Sequence, residues 1–270
     1  MDLFDSLPPS FIDACSLDQN SLYAGRYPML AHFSGQGHVI KVPDGELWYV
    51  PHFFSQAISD RIMQALIAFE HCEGDDNKNT PYQNTHSQIT SWHSEQWQHL
   101  TNINAIEWQN IAWRQDHIKI YGKTIPLPRL SAWYGDPDCA YSYSGIYLQP
   151  NPWNNVLNWI RNQLRVRGGF CFNSALLNWY RSGRDHMSWH ADDEPVLGRN
   201  PRIASVNFGA SRRFLLRRID DHQQKIEIPL HHGSLLVMSG ALQHYWQHCV
   251  PKQARVQHSR INMTFRTIVT

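Results

Sequence analysis

Charged residues and long apolar runs are both scarce in this 270-residue chain. Only 17% of the residues are charged, against about 25% in average globular proteins, while 42% are hydrophobic. That balance predicts a folded chain with a sizeable core. No window approaches the roughly 18 uninterrupted apolar residues of a membrane span. The start, MDLFDSLPPSFIDACS, has no basic segment ahead of an apolar run, so we expect neither a secretory signal nor a membrane partner.

The five cysteines are too few and too scattered to define a framework. Their number is odd and no CxxC pair occurs, which argues against disulfides, a zinc ribbon and a dithiol redox centre. The chain also has no GxSxG elbow, no GxxxxGK[ST] phosphate loop and no HExxH helix. Reduced thiols fit a reducing compartment, so we expect a cytoplasmic protein. We also expect it to be a monomer. A bacterial source is favoured because no basic nuclear-import run occurs, whereas a eukaryotic source would imply the nucleus.

The net charge of +1 conceals an asymmetry along the sequence. Residues 1–160 contain 8 basic and 16 acidic side chains, whereas residues 161–270 contain 16 basic and 7 acidic ones. A split of this kind is one compositional indication of nucleic-acid contact. Opposite charges interleaved on one folded surface would give the same counts, so charge alone leaves both interpretations open.

The first half of the chain combines turn-rich stretches with a few short elements. The predicted segments are an irregular arm (1–45), a short strand (46–54), an amphipathic helix (55–69), a long polar loop or insertion (71–105) and a hairpin (108–125). The helix is predicted because Ser55 is a good N-cap and because apolar residues recur at helical spacing from Ile58 to Ile67.

The second half is dominated by short β runs. One further helix is predicted for residues 153–166, where Gly168 and Gly169 provide its end. The strands that follow are predicted at 170–181, 187–191, 202–208, 212–218, 225–230, 234–238 and 261–269. Closely spaced strands after a few helices predict an α+β, mostly β fold, either a sandwich or a barrel with helical support.

One pair of residues in the β-rich half has the spacing of metal ligands. His190 and Asp192 are two positions apart, so on a strand both side chains project to the same face. An imidazole and a carboxylate side by side can chelate a divalent metal, but a third ligand must come from elsewhere. Sixteen histidines leave several candidates, among them His248 in the segment YWQHCVP.

A strand near the C-terminus combines a polar and an apolar face. Over residues 260–266, Arg260, Thr264 and Arg266 face one way with an asparagine between them, whereas the intervening residues are apolar. Arginines lining one face describe an anion site inside a sheet. Two-His-one-carboxylate ligation is typical of non-haem Fe(II) oxygenases, in which an arginine suits a dicarboxylate cosubstrate.

At this point the motifs resemble a known family. The segments PRLSAWYGDP, YSYSG, NWY, WHADDEPVLG, WQHCVP and SRINMTFRTI follow the order of the AlkB family of Fe(II)/2-oxoglutarate-dependent dioxygenases, in its nucleic-acid dealkylating branch. The resemblance covers roughly residues 46–269. It implies a double-stranded β-helix, or jelly roll, as the catalytic core, flanked by the two predicted helices. It further implies one domain over residues 46–270, with a nucleotide-recognition part at about 108–150 and the jelly roll at about 170–269.

The resemblance assigns the metal site. It implies that His190, Asp192 and His248 hold Fe(II) and are the catalytic residues. The remaining iron positions would accept 2-oxoglutarate and O₂. The reaction would convert 2-oxoglutarate to succinate and CO₂ while oxidising a substrate C–H bond.

The resemblance also assigns the cosubstrate pocket. Arg260 would bind the distal carboxylate of 2-oxoglutarate with help from Tyr180. Arg266 and Asn178 would contact the end that chelates iron, and Thr264 would line the same pocket. Arginine suits this task because its donor fork matches a carboxylate.

For substrate, the resemblance implies alkylated DNA, or alternatively RNA. The expected lesions are 1-methyladenine and 3-methylcytosine, repaired with release of formaldehyde. A base within a duplex must be flipped out to reach iron. Tyr143 would stack on that base, with Tyr141 beside it, and Asp193 would contact its exocyclic amine with Glu194 behind. Ordinary structural roles remain open for these four residues.

Two further features bear on nucleic-acid contact. The hairpin tip Tyr121-Gly122-Lys123 is similar to a finger that fills the vacated base stack, although an ordinary turn fits as well. Arginines of the basic half would supply a positive surface, and some of them should contact phosphates, so that binding weakens as salt rises. They are Arg161, Arg165, Arg167, Arg181, Arg184, Arg199, Arg202, Arg212, Arg213, Arg217 and Arg218.

Three other functions remain as alternatives. A 2-oxoglutarate oxygenase could act on RNA or protein instead of DNA. A zinc hydrolase could use the same three ligands with a metal-bound water, but this leaves Arg260 and Arg266 unexplained. A non-catalytic nucleic-acid binding module would account for the basic half alone.

Overall fold

The computed structural model describes residues 27, 29–32, 34–67, 110–120, 122–143 and 146–269. The strands in this part of the chain are β1 (Met29–Ala31), β2 (His38–Val42), β3 (Gly45–Val50), β4 (His117–Ile120), β5 (Lys123–Pro126), β6 (Leu130–Gly135), β7 (Tyr141–Tyr143), β8 (Ile146–Leu148), β9 (Ser174–Tyr180), β10 (Met187–His190), β11 (Ile203–Gly209), β12 (Arg212–Arg218), β13 (Lys225–Leu230), β14 (Ser234–Gly240), β15 (Trp246–Val250) and β16 (Arg260–Arg266). The helices are α1 (Gln56–Ile67), α2 (Asn155–Gly168) and the short α3 (Leu242–Tyr245), with a 3₁₀ turn at Pro195–Leu197.

Two antiparallel sheets form the core of the fold. The larger, which we call the main sheet, has the strand order β1-β2-β3-β14-β11-β16-β9-β6. The smaller, which we call the minor sheet, has the order β10-β15-β12-β13. Neighbours in these orders are mostly not consecutive in the chain, so the strands alternate between the sheets. The predicted mostly β fold with a jelly-roll core is confirmed.

The alternation of residues along β16 gives the main sheet two different faces. Ile261, Met263 and Phe265 are fully buried and pack in the same cluster as apolar residues of α1 and α2. The residues between them project to the opposite face, towards the minor sheet. The two predicted helices therefore cover the outer face of the main sheet, and the inner face is left for a site.

Local chemistry sets the start of both helices and the end of α2. α1 follows Ser55 directly and extends to Ile67, and residues 68 and 69 of the predicted helix lie outside the described residues. In α2 the side chain of Asn154 accepts a hydrogen bond from the Leu157 amide, which satisfies one of the free donors at the helix start. Gly169 adopts a left-handed conformation with φ of 70°, which ends the helix.

The structure differs from the sequence prediction at the start of the chain. Strands β1 and β2 lie within residues 1–45, which were predicted to be irregular throughout. Pro43 and Asp44 form the two-residue turn between β2 and β3, where Val42 pairs with Gly45. These turn residues therefore connect strands of a hairpin rather than interrupt structure.

One strand of the predicted nucleotide-recognition part belongs to the main sheet of the catalytic core. β6 lies inside the range predicted as the nucleotide-recognition part, yet it pairs with β9 at the edge of the main sheet. The predicted hairpin is present as β4 and β5, within residues 117–126. The predicted insertion at 71–105 lies outside the described residues. No helix in the described ranges is long and apolar enough to cross a membrane.

Candidate active site

His190, Asp192 and His248 meet at one end of the space between the sheets. His190 on β10 and His248 on β15 are directly paired across the minor sheet, and their ring centroids are 4.2 Å apart. Asp192 follows β10 by two residues. Its carboxylate lies 3.8 Å from Nε2 of His190 and 3.9 Å from Nε2 of His248. The structure thus brings together the three ligands that the resemblance assigned.

The two imidazoles are held differently. The Nδ1 atom of His190 lies 2.8 Å from the Ser188 carbonyl oxygen, which can only accept, so Nδ1 donates to it and Nε2 is the atom that faces Asp192. Burial, reinforced by the nearby His190, lowers the pKa of His248 to about 3. A neutral imidazole is the form that binds a metal.

Asp192 is held ionised by a buried partner. Burial by itself would raise the pKa of Asp192, but Arg266 outweighs it together with the two histidines, and the pKa is lowered. Arg266 Nη2 donates to Oδ1 of Asp192 at 2.8 Å. The Asp192 backbone N–H donates to Oε1 of Gln243 on α3 at 3.0 Å. Both the carboxylate and the backbone of this residue are therefore fixed.

This donor set suits a divalent transition metal. One ligand atom from each of the three residues lies within 4.8 Å of the others, and in the described part of the chain no other group of three or more His, Cys, Asp or Glu residues does so. Two imidazole nitrogens and one carboxylate on one side leave the remaining coordination positions open, as in non-haem Fe(II) sites. The three residues fit Fe(II).

A cavity extends from the three ligands between the two sheets. All five residues predicted to bind 2-oxoglutarate line it: Asn178, Tyr180, Arg260, Thr264 and Arg266. The three from β16 lie on its polar face, as their even spacing predicted. Residues of the minor sheet, including Met187, Phe214 and Val250, form the apolar opposite wall.

Arg260 has the properties of a receptor for a carboxylate. Its side chain is only 1% exposed, and its Nε and Nη1 atoms have no hydrogen-bond partner. Burial lowers its pKa to about 10, which leaves it charged at neutral pH. Among the described residues no carboxylate pairs with it. A buried guanidinium with free donors fits the distal carboxylate of 2-oxoglutarate.

Tyr180 lies beside this arginine at the same end of the cavity. The ring centroid of Tyr180 is 5.0 Å from the Arg260 guanidinium carbon and 5.7 Å from that of Arg212. Arg212 is itself fully buried, and donates to backbone carbonyls of Ser182, Asp185 and Pro251. It therefore packs the loops around the pocket and, being buried, is not part of the positive surface on which it was predicted.

Several other arginines of the predicted positive surface form ion pairs within the fold. Arg213 pairs with Glu227, Arg218 pairs with Asp44 and Asp220, and Arg181 pairs with Asp185. The excess of basic residues in the second half is thus partly neutralised within the fold, including by acids of the first half. This finding supports the interleaved interpretation for those side chains.

The predicted substrate residues belong to the hairpin tip, to the YSYSG segment or to the two positions after Asp192. Tyr121 lies outside the described residues, whereas Gly122 and the exposed Lys123 form the end of the β4–β5 hairpin. The backbone of Tyr141 and Tyr143 forms β7, and their stacking roles stay predictions.

The two acids after Asp192 have different surroundings. Asp193 is exposed, whereas Glu194 is partly buried and its Oε2 atom has no hydrogen-bond partner. Burial raises the pKa of Glu194. Neither acid is among the residues that line the cavity, so their roles in contacting the base stay predictions.

Sequence reasoning missed several residues that hold the site. Arg129 is buried and donates from Nε to the Asn178 side chain at 2.9 Å. Asn262 lines the cavity, and Asn207 and Gln243 bond to residues that do. The alternation on β16 had placed Asn262 on the polar face without a role, and Arg129 lies in the motif PRLSAWYGDP, but no local pattern marks Asn207 or Gln243.

A protein-family model matches most of this sequence. Residues 46–266 match the 2OG-Fe(II) oxygenase superfamily, and the chain therefore belongs to it. Within that superfamily it is similar to AlkB proteins, which confirms the family suggested by its motifs.

Two human proteins and one solved structure are among those similar to this chain. The chain is 43% identical over 169 residues to human alpha-ketoglutarate-dependent dioxygenase alkB homolog 3, covering 59% of this chain and 58% of that one. It is 39% identical over 159 residues to human DNA oxidative demethylase ALKBH2, covering 56% and 61%. The matched part thus spans under two thirds of these relatives. The solved structure of OsALKBH1 covers 82% of this chain at a TM-score of 0.46 and 15% identity, a likeness too distant to add to what the sheets show.

Proposed function

We propose that this protein is an Fe(II)- and 2-oxoglutarate-dependent dioxygenase that demethylates N-alkylated bases in DNA. The observation that carries the proposal is the position of Arg260 in the same cavity as His190, Asp192 and His248. A metal site joined to a buried, unpaired guanidinium accommodates a cosubstrate that binds metal at one end and presents a carboxylate at the other.

Each residue of the chain has a separate task in this reaction. His190, Asp192 and His248 would hold Fe(II), which when bound supplies the oxidising chemistry with O₂ and 2-oxoglutarate. Arg266 keeps Asp192 ionised and correctly oriented. Arg260 would bind the distal carboxylate and so fix the orientation of the cosubstrate. The apolar wall formed by the minor sheet limits the access of water to the cavity.

The substrate class is supported by the acid beside the ligands and by the relatives. Glu194 offers an unpaired carboxylate oxygen to an exocyclic amine or to the positive charge of a base such as 1-methyladenine or 3-methylcytosine. Hydroxylation of the N-methyl group would release formaldehyde and restore the base. The relatives named as DNA oxidative demethylases support DNA as the polymer.

The test measures succinate and formaldehyde from purified protein with Fe(II), ascorbate and 2-oxoglutarate. The substrate is an oligonucleotide that contains 3-methylcytosine, offered as single-stranded DNA, duplex DNA and RNA. We expect formaldehyde in step with repaired DNA base. Succinate without repaired base would keep the oxygenase and reject the substrate.

A zinc hydrolase is the alternative that the same assay excludes or supports. The three ligands would also bind Zn²⁺, but a hydrolase leaves the unpaired Arg260 donors without a purpose. Activity that persists without 2-oxoglutarate and depends on Zn²⁺ would favour this alternative.

A further inference from the structure

Asn207 on β11 holds the Arg260 guanidinium without neutralising its charge. The Asn207 side chain is 1% exposed, and its Oδ1 atom accepts a hydrogen bond from Arg260 Nη2. Asn262, its direct partner across the β11–β16 pair, donates to the same oxygen at 3.2 Å. Two donors thus converge on one amide oxygen beneath the cavity.

A hydrogen-bond network fixes the orientation of this amide. Asn207 Nδ2 donates to the Ser205 carbonyl at 3.1 Å, so the oxygen must face Arg260. Thr264 donates from Oγ1 to Asn262 Oδ1 at 3.0 Å and thereby orients the second amide as well. The network continues along the cavity floor from Thr264 to Arg260. Arg260 is therefore held by a preoriented acceptor rather than by packing alone.

The two arginines of β16 have opposite electrostatic surroundings. Arg266 is paired with the Asp192 carboxylate at 2.8 Å. Arg260 is bonded to a neutral amide, and its Nε and Nη1 atoms have no hydrogen-bond partner. Burying an uncompensated charge is unfavourable, so this arrangement has a purpose only if an anion enters the cavity.

We propose that Asn207 is a positioning residue that sets the preference of the cavity for 2-oxo dicarboxylic acids over 2-oxo monocarboxylic acids. It orients the Arg260 fork and, because it is an amide, leaves the positive charge for the second carboxylate of the cosubstrate. A carboxylate at this position would pair with Arg260 permanently and compete with the ligand. The inference rests on the proposed function, which makes 2-oxoglutarate the cosubstrate.

The test replaces this amide with an acid of the same shape. Asn207→Asp is compared with Asn154→Asp, a matched change of a buried amide at the start of α2, where a carboxylate is tolerated. Calorimetry under nitrogen measures binding of 2-oxoglutarate and of 2-oxopentanoate, which lacks the second carboxylate, to the Mn(II)-loaded protein. The melting temperature is measured without cosubstrate.

The expected results for Asn207→Asp distinguish the two ligands, whereas structural damage would weaken the binding of both. Affinity for 2-oxoglutarate should fall about 100-fold, as expected for loss of a buried charge-assisted pair, while 2-oxopentanoate binding changes by less than about threefold. The melting temperature tests that the variant folds, because the new carboxylate pairs with Arg260 but loses the hydrogen bond that Nδ2 donates to the Ser205 carbonyl. Asn154→Asp should leave both affinities unchanged.

A second variant separates orientation from charge. Asn207→Ala removes the acceptor but adds no charge, and should weaken 2-oxoglutarate binding about tenfold. The proposal is overturned if either variant binds 2-oxoglutarate as the unsubstituted protein does, or if the affinities for 2-oxoglutarate and for 2-oxopentanoate fall equally. If the unsubstituted protein fails to bind 2-oxoglutarate, the proposed function falls as well.

Discussion

His190 and His248 are direct cross-strand partners on β10 and β15, with ring centroids 4.2 Å apart. Backbone hydrogen bonds of one small sheet therefore set the spacing of two metal ligands that are distant in sequence. The third ligand, Asp192, lies beyond the end of β10 and depends on side-chain contacts to Arg266 and Gln243. This division predicts that the third ligand is sensitive to changes in its supports.

Replacement of the acidic ligand should separate chemistry from substrate binding. Asp192→Ala removes one of three ligands and the carboxylate that pairs with Arg266, so succinate formation should fall at least about 1,000-fold in the presence of Fe(II). Oligonucleotide affinity, measured by fluorescence anisotropy, should change less than about threefold. The adjacent exposed Asp193→Ala is the control and should keep succinate formation. Equal loss of DNA binding and turnover in Asp192→Ala would contradict the metal role.

Loss of the unpaired arginine should affect the cosubstrate selectively. Arg260→Ala removes the receptor for the distal carboxylate, and we expect the KM for 2-oxoglutarate to rise about 100-fold. The KM for the oligonucleotide should stay within about twofold, because Arg260 is 1% exposed and lies within the cavity. Arg213→Ala, on a side chain paired with Glu227, is the control. An effect of Arg260→Ala on the oligonucleotide alone would show that the assignment is wrong.

Gln243 on α3 should strengthen metal binding because it fixes the backbone of Asp192. Gln243 is 1% exposed and accepts the Asp192 amide hydrogen. Gln243→Met keeps the side-chain length and removes the acceptor, so the dissociation constant for Mn(II) should rise about tenfold. Gln247→Met, whose side chain contacts Arg217 instead, should bind Mn(II) normally. A lowered melting temperature of Gln243→Met with unchanged metal affinity would indicate a purely structural role.

The two acids after Asp192 should differ in their effect on repair. Glu194→Gln keeps the shape but removes the charge of the partly buried carboxylate, and should lower kcat/KM for a 3-methylcytosine oligonucleotide about 10- to 100-fold. Succinate formed without oligonucleotide should persist. Asp193→Asn is exposed and should alter repair by less than about twofold. The reverse ranking of the two variants would restore Asp193 as the base-contacting residue.

A glycine near the pocket should be intolerant of a side chain. A Cβ atom on Gly183 would lie 1.8 Å from the Gln253 carbonyl oxygen, and the Gln253 backbone N–H donates to the Gly183 carbonyl. Gly183→Ala should push apart two loops that Arg212 holds together, and should lower the free energy of unfolding by about 2–4 kcal/mol. Chemical denaturation measures this loss. Ser182→Ala at the neighbouring position should cost less than about 1 kcal/mol, and a similar cost for both would contradict the close approach.

Local patterns were sufficient for the elements that have a regular period. The predicted helices occur at 56–67 and 155–168, and the alternation on β16 correctly divided Arg260 and Thr264 from their apolar neighbours. The β1–β2 region was misjudged because short strands with exposed residues and turns lack a clear period. Glycine and proline mark turns in either case, so they could not distinguish a hairpin from an irregular arm.

The motifs carried the ligand set, because His190 and Asp192 are two positions apart in one short segment and their chemistry is visible in the sequence. The partners of those residues could not be recognised in the same way. Asn207, Gln243 and Arg129 are ordinary residues in ordinary elements, and only the pairing of distant strands gives them a neighbour to orient. The sequence by itself determined which residue types could bind a metal and an anion and on which face of a strand they lie, since side-chain alternation is a local property. Tertiary structure alone decided that Asp192 neutralises Arg266 and leaves Arg260 charged, because burial and charge compensation depend on contacts between elements that are remote in the chain.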